Sequence, residues 1–267
     1  MKNLNRIAAL WLSVLVLLIA GLLVSAKAWG QASTIVSERT FTSSSANAPS
    51  ITACVGAPTP DNGVMLVVGT GAIDGLPVPD GQASGAMVVR LSATGEVISS
   101  VKLKDNFSVQ FYTLLYPVDM KAAVGGGDFV YGRYRGFSGV QGIFLLKLDE
   151  AGQTVWYTDL YQLPLGSLNS FSPAFIRSLS DGGCLAAYTD SYPRATRYIG
   201  IKRVGAAGNV VFSASVDAVG ESAIRGANTV GGGCEFDDGY VLTGKYVTQT
   251  DSLPKGWIVR LDGTGQQ

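Results

Sequence analysis

The chain contains no histidine at all. That absence removes Ser-His-Asp and Cys-His catalysis, histidine-ligated metals and the usual neutral-pH acid/base group. Charge is scarce too, at 15% of 267 residues, against 47% apolar. Disordered chains need the opposite balance. Cysteine is limited to Cys54, Cys184 and Cys234, with no Cys-x-x-Cys spacing, so a zinc or redox motif is not supported. No Gly-x-Ser-x-Gly elbow and no phosphate loop occurs. What is abundant is glycine, at 34 positions, the residue helices tolerate worst after proline. An all-β chain is expected.

The N-terminus reads as a targeting segment. Lys2 and Arg6 precede an apolar run from Ile7 to Ala26, broken only by Ser13 and Ser25. Its length lies between a signal-peptide core and a membrane-spanning helix. Small residues at Val24–Ala26 and Gly30–Ala32 suit cleavage. Residues 1–32 are therefore expected to be a signal peptide or an N-terminal membrane anchor, an apolar helix in either case. The remainder, 33–267, is expected outside the cytoplasm: secreted, periplasmic or at the cell surface. Lys2, Arg6 and Lys27 are the only charges among the first 27 residues. The body then carries 20 − 3 = 17 basic against 20 acidic groups. A mildly acidic body without a basic stripe gives no attraction for nucleic acid.

The strongest signal is internal repetition. Met87–Gly95, Phe144–Gly152, Gly200–Gly208 and Trp257–Gly265 share one form: an apolar strand ending in a basic residue, a short turn, then glycine. Arg90, Lys147, Arg203 and Arg260 mark the period, as do the closing glycines. A second turn precedes each segment, at Asp61–Gly63, Gly125–Gly127, Asp181–Gly183 and Asp237–Gly239. Asp/Asn-Gly pairs between apolar runs make hairpins, because glycine reaches positive φ at low cost. Each unit then holds four short strands, the arithmetic of a β-propeller blade. In the second unit these are expected near Val118–Val124, Phe129–Arg133, Gly142–Asp149 and Thr154–Leu160. The last unit lacks a fourth strand, and Gln31–Phe41 resembles one. Thr34–Thr40 is expected to pair with Gly256–Asp262 and close a ring of four four-stranded blades in one domain.

These units resemble the secreted bacterial β-propeller repeats of the SBBP type. The resemblance runs over about Thr34 to Gln267 and is clearest in Gly142–Leu160, where Leu146–Gly152 carries the Leu-Lys-Leu-Asp-x-x-Gly pattern. Ser92 and Gly205 stand where the pattern has Asp. The resemblance implies a bacterial propeller and carries no catalytic residue. It also implies rings of more blades, so closure within one chain and pairing with a second chain both stay open.

Function is expected at the long connections on one face. Arg133, Tyr134, Arg135, Tyr192, Arg194 and Arg197 bring forked guanidinium groups and aromatic rings together there, a combination suited to a glycan or an anionic group. No cofactor or metal is called for; the paired acids Asp74 and Asp80 lack EF-hand spacing. Cys54 and Cys234, in the first and last units, are candidates for a disulfide bracing the closure. The primary reading is a non-enzymatic exported scaffold that binds a ligand or partner. The alternative is a carbohydrate-active hydrolase or lyase using carboxylates in an axial pocket.

Overall fold

The computed structural model describes residues 53–70, 85–103, 112–136, 140–163, 170–191, 197–216, 229–246 and 253–267. All belong to the unit Arg39–Gln267. The apolar run 7–26 and the expected closing strand Thr34–Thr40 lie outside the described residues.

Fifteen strands form four antiparallel meanders. The first sheet is β1 (Ala53–Pro58), β2 (Val64–Thr70), β3 (Gly85–Leu91) and β4 (Val97–Lys102). The second is β5 (Tyr112–Ala122), β6 (Asp128–Gly136), β7 (Gln141–Leu148) and β8 (Thr154–Leu163). The third is β9 (Ser170–Ser178), β10 (Cys184–Ser191), β11 (Arg197–Val204) and β12 (Val210–Val216). The fourth has three described strands, β13 (Thr229–Phe236), β14 (Gly239–Tyr246) and β15 (Lys255–Leu261). The strands near Val118, Phe129, Gly142 and Thr154 all fall where the repeat places them. Several run further, because alternation of buried and exposed residues continues into what reads as loop.

The turns follow their residues. Asn62 and Asp237 take positive φ, two of the non-glycine types that tolerate it. Gly95, Gly152, Gly208 and Gly265 all sit between φ +81 and +88. Three of them also rest on the preceding sheet: added Cβ atoms would lie 2.8 Å from Val88, 2.8 Å from Trp156 and 2.6 Å from Phe212. The preceding acid closes the turn. Asp149 Oδ1 accepts the Ala151 and Gln153 N–H groups at 2.9 and 2.8 Å, and Asp262 does the same for Thr264 and Gln266. Ser92 substitutes with longer bonds, and Gly205 supplies no side chain. Asp149→Ala is therefore expected to lower stability by about 1 kcal/mol, read as a shifted urea midpoint.

The innermost strands meet in order, β1 on β5, β5 on β9 and β9 on β13, as in a propeller. The core is correspondingly split into seams between successive sheets. Met65, Val67, Val88, Phe144 and Leu146 fill the first; Phe129, Tyr131, Leu145 and Cys184 fill the second; Leu185, Ile201, Leu242 and Val259 fill the third. Hydrogen bonds cross the seams as well. Tyr131 Oη donates to the buried Ala187 carbonyl at 2.7 Å, and Trp156 Nε1 donates to Ala206 O at 2.9 Å.

The repeat exposes an asymmetry at its end. Val88, Leu145, Ile201 and Ile258 occupy one column, the side of the third strand that faces the following sheet. The first three are 2%, 0% and 0% exposed, whereas Ile258 is 72% exposed. Thr243 on β14 is likewise exposed, where Val67, Tyr131 and Ala187 are buried. Among the described residues, then, nothing covers the fourth sheet's forward face as the other three are covered.

Candidate functional site

The hairpin turns of the first and second sheets border a cavity of about 600 Å³ on the short-turn face. Its polar lining comes from Thr59, Asp61, Arg90, Asp128 and Glu150, with Gly126 and Gly127 forming part of the wall.

Asp61 and Arg90 are repeat furniture. Thr59 Oγ1 donates to Asp61 Oδ1 at 2.6 Å, and Arg90 Nη2 donates to Oδ2 at 2.8 Å. The Thr59 hydroxyl, aided by the Arg90 charge, holds the Asp61 carboxyl below the usual range. The same latch joins Arg203 to Asp181, and Arg260 to Asp237 and Asp238.

The second sheet breaks the pattern. Gly125 replaces the latch acid, and Lys147 lies 5.8 Å over the Phe129 ring instead of meeting a carboxylate. An acid appears three residues later, as Asp128. The corresponding positions hold Val64, Cys184 and Tyr240, all apolar. Asp128 is only 3% exposed, and its Oδ1 has no hydrogen-bond partner. Burial pushes its carboxyl up to about 6. A buried carboxyl with an unpartnered oxygen, lining a cavity, is where a functional site is expected, because desolvation is costly without a use.

Glu150 completes the set. It lies on the turn after β7 and is exposed. Its Oε1 stands 2.9 Å from where a Cβ on Gly126 would be, and Gly126 has φ +98. Glycine there permits both the turn and the approach of the carboxylate. Among the described residues no three acids or cysteines cluster closely enough to hold a metal ion. Asp61, Asp128 and Glu150 all line the cavity.

The acids on the described inner strands do not fill the axial role expected above. The described inner strands carry two acids, Asp119 and Glu235. Asp119 accepts the Ile176 N–H across a seam at 3.1 Å and pairs with Lys121. Glu235 accepts the N–H and Oγ of Ser180 across another. Both bridge neighbouring sheets rather than converge.

The long-loop residues separate. Arg133 and Arg135 are exposed on β6, and the Arg133 guanidinium lies 4.8 Å over the Tyr116 ring. Tyr134, expected beside them, is 1% exposed and belongs to the first seam. It points to the opposite face because strand geometry persists through Gly136. Its ring lies over Gly142, where a Cβ would come within 2.2 Å. Tyr188 over Gly200 repeats that pairing. Arg197 opens β11. Tyr192 and Arg194, like Asp74 and Asp80, lie outside the described residues. The anticipated Cys54–Cys234 disulfide is not formed: both are exposed free thiols, on β1 and β13. Cys184 is a buried free thiol, pushed up to about 12 by desolvation.

Asp128 was missed in the sequence reading. Its signal was available, as a lone acid in an otherwise apolar column of the repeat.

No family model matches the chain, and no curated protein matches it. Among solved structures it is similar to an α-L-arabinofuranosidase (CtGH43) from Clostridium thermocellum, at 13% identity and a TM-score of 0.39, covering 76% of this chain and 63% of that one. It is also similar to the arabinanase Arb43A of Bacillus subtilis, at 12% identity and 0.38, covering 85% and 80%. Drosophila Plexin A in complex with Semaphorin 1b gives 10% and 0.31, covering 83% and 55%. The chain thus spans less than two thirds of the first of these.

Proposed function

We propose that the chain is an exported, carbohydrate-active β-propeller protein that hydrolyses glycosidic bonds in the cavity between its first two sheets. Asp128 carries this reading: a buried carboxyl, raised to about 6, facing a cavity of ligand size. Glycoside hydrolysis needs one carboxyl that stays protonated and one that is ionised. Burial supplies the first. Exposed Glu150 is the second, since Asp61 is held by Thr59 and Arg90. Asp128 gives its proton to the leaving glycosidic oxygen. Water adds to the anomeric carbon, and its proton passes to Glu150. Exchange with solvent restores both groups. Incubation with a panel of neutral oligosaccharides should release reducing ends, and Asp128→Asn should stop that release. Binding of oligosaccharides without any release, in wild type and variant alike, would refute the chemistry and leave the scaffold reading.

That second reading, ligand binding without chemistry, draws support from a different place. Arg133 is stacked on an aromatic ring at the rim rather than latched to an acid.

A further inference from the structure

Three arginines at the base of their sheets are neutralised by aspartates: Arg90, Arg203 and Arg260. Arg133 is different. Among the described residues it makes no salt bridge, although the body is net acidic. Its guanidinium carbon lies 4.8 Å over the Tyr116 ring, directly across the sheet in register. Stacking fixes the plane of the fork while leaving its N–H edge open. Arg135, two residues on, projects from the same face and stands opposite exposed Gln141. The row continues from Arg133 through Ile143 to Tyr161, whose ring packs against Phe171 at 5.6 Å and Tyr188 at 5.4 Å. Two charged forks and an amide thus share one end of the second sheet, and the rings of Tyr161, Phe171 and Tyr188 close the seam beneath them.

We infer that the Arg133–Arg135 edge is an oxyanion-recognising subsite, taking the carboxylate or sulfate of an acidic saccharide. A fork held flat by a ring suits the two coplanar oxygens of such a group. This subsite does not rest on the chemistry assigned to Asp128, and it lies on the opposite, long-loop end of the sheet.

The test is a set of titrations with inorganic sulfate, uronic-acid oligomers, sulfated neutral oligomers and unsulfated neutral oligomers of equal length. Anionic oligomers should bind at least about tenfold more tightly than neutral ones, with affinity falling as salt rises. Arg133→Gln/Arg135→Gln should remove that preference, and Arg133→Lys should fail to restore it, because an ammonium lacks the fork. Tyr116→Leu should weaken binding by about fivefold by freeing the guanidinium. Asp128→Asn should leave all of this unchanged. Preference for uronate over sulfate, or the reverse, identifies the source of the oxyanion. Equal binding of anionic and neutral oligomers, or an anion preference that survives in the double variant with an unchanged urea midpoint, overturns the inference.

Discussion

Asp128→Asn is expected to abolish turnover and at the same time make the protein more stable at neutral pH. Asn matches the shape of the carboxyl but has no proton to give, and loss of a general acid slows such reactions by roughly 10²–10⁴-fold. The stability effect follows from linkage. The Asp128 carboxyl moves from its ordinary 3.8 to about 6 on folding. Between those values the native state holds a proton that the unfolded chain has released. Stability therefore falls as pH rises through this window, and stays lower above it. The full difference is about 3 kcal/mol, an upper figure for a shift of this size. The variant does not titrate here, so its advantage should grow by about 2 kcal/mol between roughly pH 4.5 and 7.5. Urea unfolding of both proteins at the two pH values measures it. Parallel pH dependence would mean that Asp128 is not desolvated, and both the site and its chemistry would go. Loss of activity with a gain in stability is the signature of a group kept for function.

The second large effect separates two residues that the repeat treats as equivalent. Leu145→Ala is expected to cost about 2–5 kcal/mol. Leu145 is fully buried in the second seam, among Phe129, Tyr131 and Cys184. Ile258→Ala, in the same repeat column, is expected to fall within about 0.5 kcal/mol of wild type. Its side chain is 72% exposed, so little apolar area leaves or enters water when it is truncated. Thermal or urea unfolding compares the two directly. Similar costs would show that the forward face of the fourth sheet is covered in solution, and would restore a sealed ring. Such a result would bear on how the fourth sheet is completed, by the chain's own front end or by a second chain.

Much of the fold could be read in advance because its determinants are local. Arg90, Lys147, Arg203 and Arg260 gave the period, and Gly95, Gly152, Gly208 and Gly265 required turns of one hand wherever they fell. The site was less legible. Tyr134 sits between two arginines in sequence and looks like a rim residue. One step along a strand reverses the side chain's face, so Tyr134 is core while Arg133 and Arg135 are exposed. Cys54 and Cys234 both precede the strand-two turn, in the first and last units, yet are separate thiols.

The amino-acid order by itself determined the sheets: alternating apolar strands, glycine at positive-φ turns and a fixed repeat length leave few other solutions. Tertiary structure decided which faces are paired and which carboxyl is deprived of water. Those outcomes depend on neighbours about one repeat away. Val88 is buried because a second sheet follows it, and Ile258 is exposed because no described residue covers its forward side. Asp128 is perturbed because packing removes its water without supplying a partner for Oδ1. Desolvation is a property of assembled surfaces, and no local pattern encodes it.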